Sequence, residues 1–251
     1  CTTALITVDA TQIDLPRGAQ SGLTHVSNVL SGVEGIAFTY SEPAVWLEYV
    51  IDTSILAHDA GLYTVYVSNS YVSDAALELM APHIDVLCSD IKSMRDDFYR
   101  DICRPARVEQ VLHAISKAQQ LGIHVETRTN IIPGKNDSAQ EHYETACWVR
   151  ENLGEDSPWH ITRFFPAYKL SKLPPTPEAT LYEAREAAER AGLRHVYVYN
   201  DKGCDCAAEN RPIDFYLNGP QAAIHQVRKC AAGCCGEQGV LLKKYEQNST
   251  V

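Results

Sequence analysis

Apolar, β-branched runs alternate with longer amphipathic stretches over most of this chain. Runs at 35–40, 63–68, 84–89, 123–131, 159–164 and 195–199 read as strands. Helical patterns fall between them. Residues 43–60 have Pro43 in the first turn, Val45, Leu47, Val50, Ile51 and Leu56 as apolar positions, and Gly61 as the stop. Residues 73–80 follow a Ser-Asp cap, and 105–121, 138–153 and 177–191 end on Gly122, Gly154 and Gly192. Strands alternating with helices predict an α/β fold, a mostly parallel sheet with right-handed crossovers. A βα barrel, open or closed, and a doubly wound sheet both satisfy the pattern. Two segments stand outside it. Residues 1–30 hold one apolar run, Ala4–Val8, then a polar stretch with Pro16 and Gly18, and read as an incomplete lead-in. After Asn200 the alternation stops, which leaves 31–200 as the core and 201–251 as a Cys-rich tail.

With 251 residues, 45% hydrophobic and 22% charged, the chain can bury a full core. Its net charge of -10 argues against nucleic acid as a partner, since phosphate-backbone binding needs clustered Lys and Arg. It does not exclude a small anionic ligand held by local dipoles. No apolar run is long enough to span a bilayer and no signal peptide pattern is present, so a cytoplasmic protein without a membrane partner is expected. Asn248-Ser249-Thr250 fits a glycosylation acceptor but reads as a polar tail in that setting. Nine cysteines, an odd number, favour thiols and metal ligands over a disulfide framework. The chain begins on Cys1 rather than Met, as a fragment, a processed form or a trimmed one would.

Candidate chemistry sits where strands end. The first assigned strand stops on Ser41 and Glu42 before Pro43, and the second on Ser68-Asn69-Ser70. The third runs into Asp90 and Lys92. The fourth carries Glu126, Arg128 and Asn130 before the turn IIPGKND, and the fifth carries His160 and Arg163, followed by Tyr168 and Lys169. Singly, each has a plain explanation: a helix cap for Glu42, a turn for Asn69, a surface pair for Asp90 and Lys92, a satisfied core histidine for His160. Five successive strands ending in hydrogen-bonding side chains converge on one pocket in any parallel α/β architecture. Mixed carboxylate, amide and guanidinium groups there suit a zwitterionic or polyhydroxylated ligand. No Gly-rich dinucleotide loop, P-loop or nucleophile elbow is present.

In order, GIAFTYSEP, LYTVYVSNSY, IDVLCSDIKSM, IHVETRTNIIPGKNDS and SPWHITRFFPAYKL resemble the radical SAM enzyme of the AmmeMemoRadiSam system, close to the pyruvate formate-lyase activating enzymes. The match runs from about Gly32 to Asn200. The resemblance implies a partial (β/α)6 TIM-like barrel, truncated at its N-terminus, that binds S-adenosylmethionine (SAM). It puts the SAM amino group at Ser41 and Glu42, with Thr39 and Tyr40 lining the approach. It puts Asn69 facing SAM, and Asp90 and Lys92 near the ribose and the methionine carboxylate. Pro133 falls in the IIPGKND segment that resembles the part packing on adenine, Arg128 and Asn130 of the strand before it count among the cofactor-binding residues, and His160 and Arg163 face SAM or the substrate. The implied reaction is reductive SAM cleavage to a 5′-deoxyadenosyl radical, then hydrogen abstraction from an unidentified substrate, a partner protein among the candidates.

That chemistry needs a 4Fe–4S cluster held by a CxxxCxxC loop after the first barrel strand. No such triplet precedes Gly35, where Cys1 is the sole cysteine. The loop and first strand are therefore expected to be cut away or replaced, and the chain to be inactive alone. Five thiols crowd the tail: Cys204, Cys206, Cys230, Cys234 and Cys235. Four suffice for a tetrahedral metal site, with zinc ahead of an auxiliary cluster. Two other functions fit the residues: a non-catalytic SAM- or metal-binding adaptor, and an aldolase-type barrel with Lys92 as a Schiff-base lysine. No catalytic residue is assigned.

Overall fold

The computed structural model of the chain describes residues 4–8, 33–39, 42–104, 106–200 and 203–204. Its strands form one sheet in chain order. They are β1 (Ala4–Val8), β2 (Val33–Phe38), β3 (Tyr63–Ser68), β4 (Val86–Asp90), β5 (His124–Ile131), β6 (Trp159–Arg163), β7 (Val196–Asn200) and β8 (Gly203–Cys204). From β1 to β7 every neighbouring pair is parallel, and β8 turns back antiparallel on β7. Ala4–Val8, set in the lead-in by the sequence pattern, pairs with β2 along its length.

The crossovers are α1 (Leu47–Asp59), reached through a 3-10 turn at Pro43–Trp46, then α2 (Asp74–Met80), α3 (Val108–Gln120), α4 (Ala139–Leu153) and α5 (Glu178–Ala191). Their ends follow local chemistry. Ser73 Oγ accepts from the Ala76 N–H at 3.3 Å and Ser138 Oγ from the Glu141 N–H at 3.2 Å, each meeting a helix donor that has no partner within the helix. Gly192 closes α5 at a φ of 94°, which disfavours any residue with a Cβ. The hydrophobic pattern predicts no element between β4 and α3. The structure has a short helix there, Asp96–Phe98, running into a π-helical turn, Tyr99–Cys103.

Strand alternation sorts the side chains onto two faces. Ile36, Phe38, Tyr66, Leu87, Val125, Trp159 and Ile161 form one core with the buried positions of the helices, such as Val50, Leu77, Ala114, Val149 and Leu181. Ala37, Tyr63, Val65, Val67, Val86 and Cys88 form a second, smaller cluster on the opposite face. All five crossover helices thus pack on one face, and strands follow one another without reversal of order. This is a curled partial barrel, and the doubly wound alternative is excluded. No helix among the described residues is long and apolar enough to cross a membrane.

The inner face is tightly filled near the start of β2. A Cβ built on Gly35 would lie 2.0 Å from Tyr63 Cε2, and the Tyr63 ring is itself buried. Gly35→Ala should therefore overpack the barrel and lower stability by about 1–3 kcal/mol, read as an earlier midpoint in denaturant unfolding. An unchanged midpoint would show that the ring moves freely.

Candidate ligand site at the strand ends

Parallel strands in chain order bring their C-terminal ends to one edge. At β2 the inner-face position is Thr39, which is buried. Tyr40 and Ser41 lie outside the described residues. Glu42 follows, and both of its carboxylate oxygens are occupied. Oε1 accepts from Ser68 Oγ at 2.6 Å and from the Ala44 N–H at 3.4 Å, and Oε2 accepts from the Asn69 N–H at 2.9 Å. Glu42 thus caps the helical turn that follows it and ties β2 to the end of β3. Ser68 Oγ in turn accepts from the Ser70 N–H, and Ser70 Oγ meets Ser89 Oγ at 2.6 Å, carrying the chain of contacts to β4. The Asn69 side chain accepts from the Tyr71 N–H and shapes its own turn.

At β4 and β5 the charges gather. Asp90 and Arg128 are register partners. Asp90 Oδ1 takes Arg128 Nε at 2.7 Å and Nη2 at 2.6 Å, and Oδ2 takes Lys92 Nζ at 2.7 Å. Burial pushes the Asp90 pKa up, but the Lys92 and Arg128 charges and their hydrogen bonds outweigh it and hold the carboxyl below its ordinary value. The trio carries one carboxylate against two cations, a net positive charge at the strand ends. The Lys92 N–H donates to Tyr99 Oη at 3.2 Å, which docks the π-helical turn beside it.

Asn136 fixes the turn IIPGKND. Its buried amide donates to the carbonyls of Lys92 at 2.6 Å and Asn130 at 2.9 Å, while Oδ1 accepts from the Ile132 N–H at 2.6 Å. Asn130 is exposed and Pro133 half-buried on that turn. Ser93 and Arg95 of the preceding loop reach Glu141 at the start of α4.

His160 pairs in register with Arg128 on one side and Tyr197 on the other, so Asp90, Arg128, His160 and Tyr197 form one transverse row of the inner face. The His160 ring stacks on Tyr197 with centroids 5.1 Å apart. Its Nε2 lies 2.9 Å from Glu126 Oε2, and His124 Nε2 lies 3.3 Å from Glu126 Oε1. Burial raises the Glu126 pKa, yet the two histidines more than offset it and hold the carboxyl down to about 2. An ionised Glu126 only accepts, so both Nε2 atoms carry their protons. Arg163 falls on the opposite alternation from His160. Its Nε donates to the Thr176 carbonyl at 2.8 Å and its guanidinium lies 5.5 Å from the Phe165 ring centre. The structure therefore does not bring Arg163 into the row of Asp90, Arg128 and His160.

Cys103 and Cys147 are free thiols, and Cys88 is buried on the inner face. No group of three or more His, Cys, Asp or Glu among the described residues is arranged to hold a metal. Cys204 lies on β8, where only its backbone is described, and Cys206, Cys230, Cys234 and Cys235 lie outside the described residues. The described residues thus offer no ligand set for an iron–sulfur cluster. Their chemistry fits SAM, a ligand with a carboxylate, an ammonium and ribose hydroxyls: the trio places two cations and one carboxylate at the strand-end edge.

A partial barrel with a polar row at its strand ends defines the class, and comparison shows what the chain is similar to. Residues 25–146 match the model of the Radical SAM superfamily. It is 39% identical over 169 residues to an uncharacterized protein of Methanocaldococcus jannaschii, an alignment covering 67% of this chain and 50% of that protein. The chain therefore spans about half the length of the curated relative it matches. A domain of pyruvate-formate lyase-activating enzyme from Bacteroides vulgatus superposes with a TM-score of 0.57 at 17% identity, covering 66% of this chain and 99% of that domain. Streptococcus suis SuiB bound to S-adenosylmethionine superposes at 0.56 with 14% identity, covering 73% of this chain and 44% of SuiB. At such identities these structures show a shared fold.

Glu126 gives a pH signature. Its pKa is lowered on folding from 4.5 to about 2, so its contribution is fully present above pH 4.5 and is lost as pH falls towards 2. Glu126→Gln should flatten the stability–pH curve in that window, measured by thermal melts. Glu126→Ala should cost about 3 kcal/mol at neutral pH, because it removes the carboxylate that accepts from the buried His160 and the half-buried His124. Identical slopes for Glu126→Gln and the unaltered protein would refute the assignment.

Proposed function

We propose that this chain binds SAM across the C-terminal ends of β2 to β6 as the barrel of a radical SAM enzyme of the AmmeMemoRadiSam type. The observation that supports this most directly is the Lys92–Asp90–Arg128 trio, whose net positive charge faces the strand-end edge of a Radical SAM superfamily domain. In this reading Lys92 and Arg128 meet the methionine carboxylate, and Asp90 orients both. Thr39, Tyr40 and Ser41 line the ammonium end. With both its oxygens taken, Glu42 acts by holding the β2 and β3 ends in shape. Asn69, Asn130 and Pro133 border the ribose and adenine, and His160 closes the floor. Arg163 acts on the substrate side through the loop that follows it.

Bound at an iron–sulfur cluster, SAM supplies a 5′-deoxyadenosyl radical for hydrogen abstraction. The part of the described residues is confined to binding and orienting SAM. SuiB also has a structure with its precursor peptide, which supports a peptide or protein as substrate here. The tail thiols Cys204, Cys206, Cys230, Cys234 and Cys235 are assigned to a zinc site on their number and spacing. Free thiols at Cys103 and Cys147 support a reducing, cytoplasmic setting. An aldolase reading gains nothing from the structure, since Lys92 Nζ is committed to Asp90.

Calorimetric titration with SAM tests the pocket. Lys92→Ala should weaken binding about tenfold, the value of one charge-assisted contact. Glu42→Ala should weaken it too, and Glu42→Gln, which keeps an acceptor for Ser68 or Asn69, should weaken it less. Affinity equal to that of the unaltered protein in both Lys92→Ala and Glu42→Ala would sink the proposal.

A further inference from the structure

Three features that the SAM pocket does not use coincide on the loops around it. The first is backbone strain. Among described non-glycine residues, positive φ occurs at Ser70 (57°), Arg104 (27°) and Tyr168 (46°). These lie after β3, β4 and β6, all at the strand-end face. Left-handed backbone in residues with a Cβ costs free energy and tends to persist where function selects it. Arg104 also ends the π-helical turn, its N–H donating to the Tyr99 carbonyl at 2.8 Å.

The second feature is exposed apolar surface. Val45 is 80% exposed and Tyr168 84%, and Tyr71 and Phe165 are exposed as well. They stand on the connections after β2, β3 and β6, again at this face.

The third is charge. The described connections that follow β2 to β6 carry eight Lys and Arg against five Asp and Glu, a surplus of positive charge in a chain of net charge -10. The connection after β6, residues 164–177, holds Lys169 and Lys172 and no acidic residue. Arg104, Arg107, Lys135 and Lys172 are exposed, and their cationic groups enter no ion pair or hydrogen bond with described residues.

We propose that these loops form a docking surface for an acidic peptide segment of a partner protein, with Arg104, Arg107 and Lys172 taking its carboxylates and Tyr168 and Phe165 its apolar side chains. The inference rests on the reading of this face as the SAM-binding end, with the segment lying over the pocket mouth. Carboxylates fit better than a phosphate backbone because Asp96, Asp97 and Asp101 are interspersed among the same cations, and a continuous row of phosphates would meet them.

The test is fluorescence anisotropy with a labelled peptide of alternating glutamate and leucine. Its glutamine counterpart and a single-stranded RNA of equal length serve as competitors, and SAM calorimetry is run on the same proteins. The glutamate peptide should bind, weaken with added salt, and lose about tenfold in affinity in the Arg107→Glu/Lys172→Glu double variant. Tyr168→Gly, which suits the φ of 46°, should keep or raise the melting temperature while weakening the peptide. SAM affinity should be unchanged in both variants. The proposal is overturned by equal binding of the glutamine peptide, by stronger competition from RNA, by unaltered peptide affinity in both variants, or by no peptide binding at all. Parallel loss of SAM and peptide affinity also overturns it, because the loops would then act through the pocket. Failure of the unaltered protein to bind SAM would instead remove the reading of the pocket, with the peptide results standing by themselves.

Discussion

Each strand of this sheet from β1 to β7 hydrogen-bonds in parallel to its successor in the chain, and that constraint shapes everything else. Parallel neighbours need a crossover, and crossovers of one hand without reversal of strand order put every helix on the same face. The sheet must then curl with its other face inward. All strand C-termini meet along one edge, where chain directions change and backbone groups leave the ladder. Residues as distant in sequence as Glu42 and Asn69, or Asp90 and Arg128, become neighbours because of this order.

The inner face solves two problems differently along its width. Across β2 to β4, below Thr39 and Asp90 at the edge, it is apolar, closed by Tyr63, Val65, Val67, Val86 and Cys88. Across β5 to β7 it carries His124, Glu126, Arg128, His160 and Tyr197. Buried charge is costly unless matched, and each of the two acids on this face has two partners. Asp90 is held by two cations, Glu126 by two histidines. The difference matters for function. The Glu126 group sits deep, its carboxylate matched on both oxygens by imidazoles. The Asp90 group keeps a surplus cation and sits at the edge, partly exposed.

Much of this was legible in the sequence, but unevenly. Caps at Ser73 and Ser138 and stops at Gly122, Gly154 and Gly192 are local, and they fall within a residue or so of the helix ends. Asp90 and Lys92 were readable as a pair because they are two residues apart at a strand end. Their third member, Arg128, is fixed by sheet register, which no local pattern encodes. His124-x-Glu126-x-Arg128-x-Asn130 does show a polar period of two, the signal that could have revealed a charged inner face on β5. Asn136 looked like one more turn residue in PGKND; its three hydrogen bonds to backbone groups of two loops depend on burial that only the packed chain defines. The π-helical turn at Tyr99–Cys103 left no trace either, since hydrogen-bond slippage in a short helix does not alter hydrophobic periodicity.

Glu42 shows how a strand-end motif can tie neighbouring strands together. Its carboxylate accepts from Ser68 and Ala44 on one oxygen and from Asn69 on the other. What it controls is the spacing of β2 and β3 ends, and through Ser68, Ser70 and Ser89 the approach of β4. A serine chain of that kind transmits position: Ser68 both donates to Glu42 and accepts from the Ser70 N–H, and Ser70 and Ser89 share one hydrogen bond. The same logic separates the rest of the edge. Carboxylates there are internally satisfied and serve to hold cations and backbone in place. Exposed cations and apolar side chains stand on the loops around them, at Arg104, Arg107, Lys172, Phe165 and Tyr168.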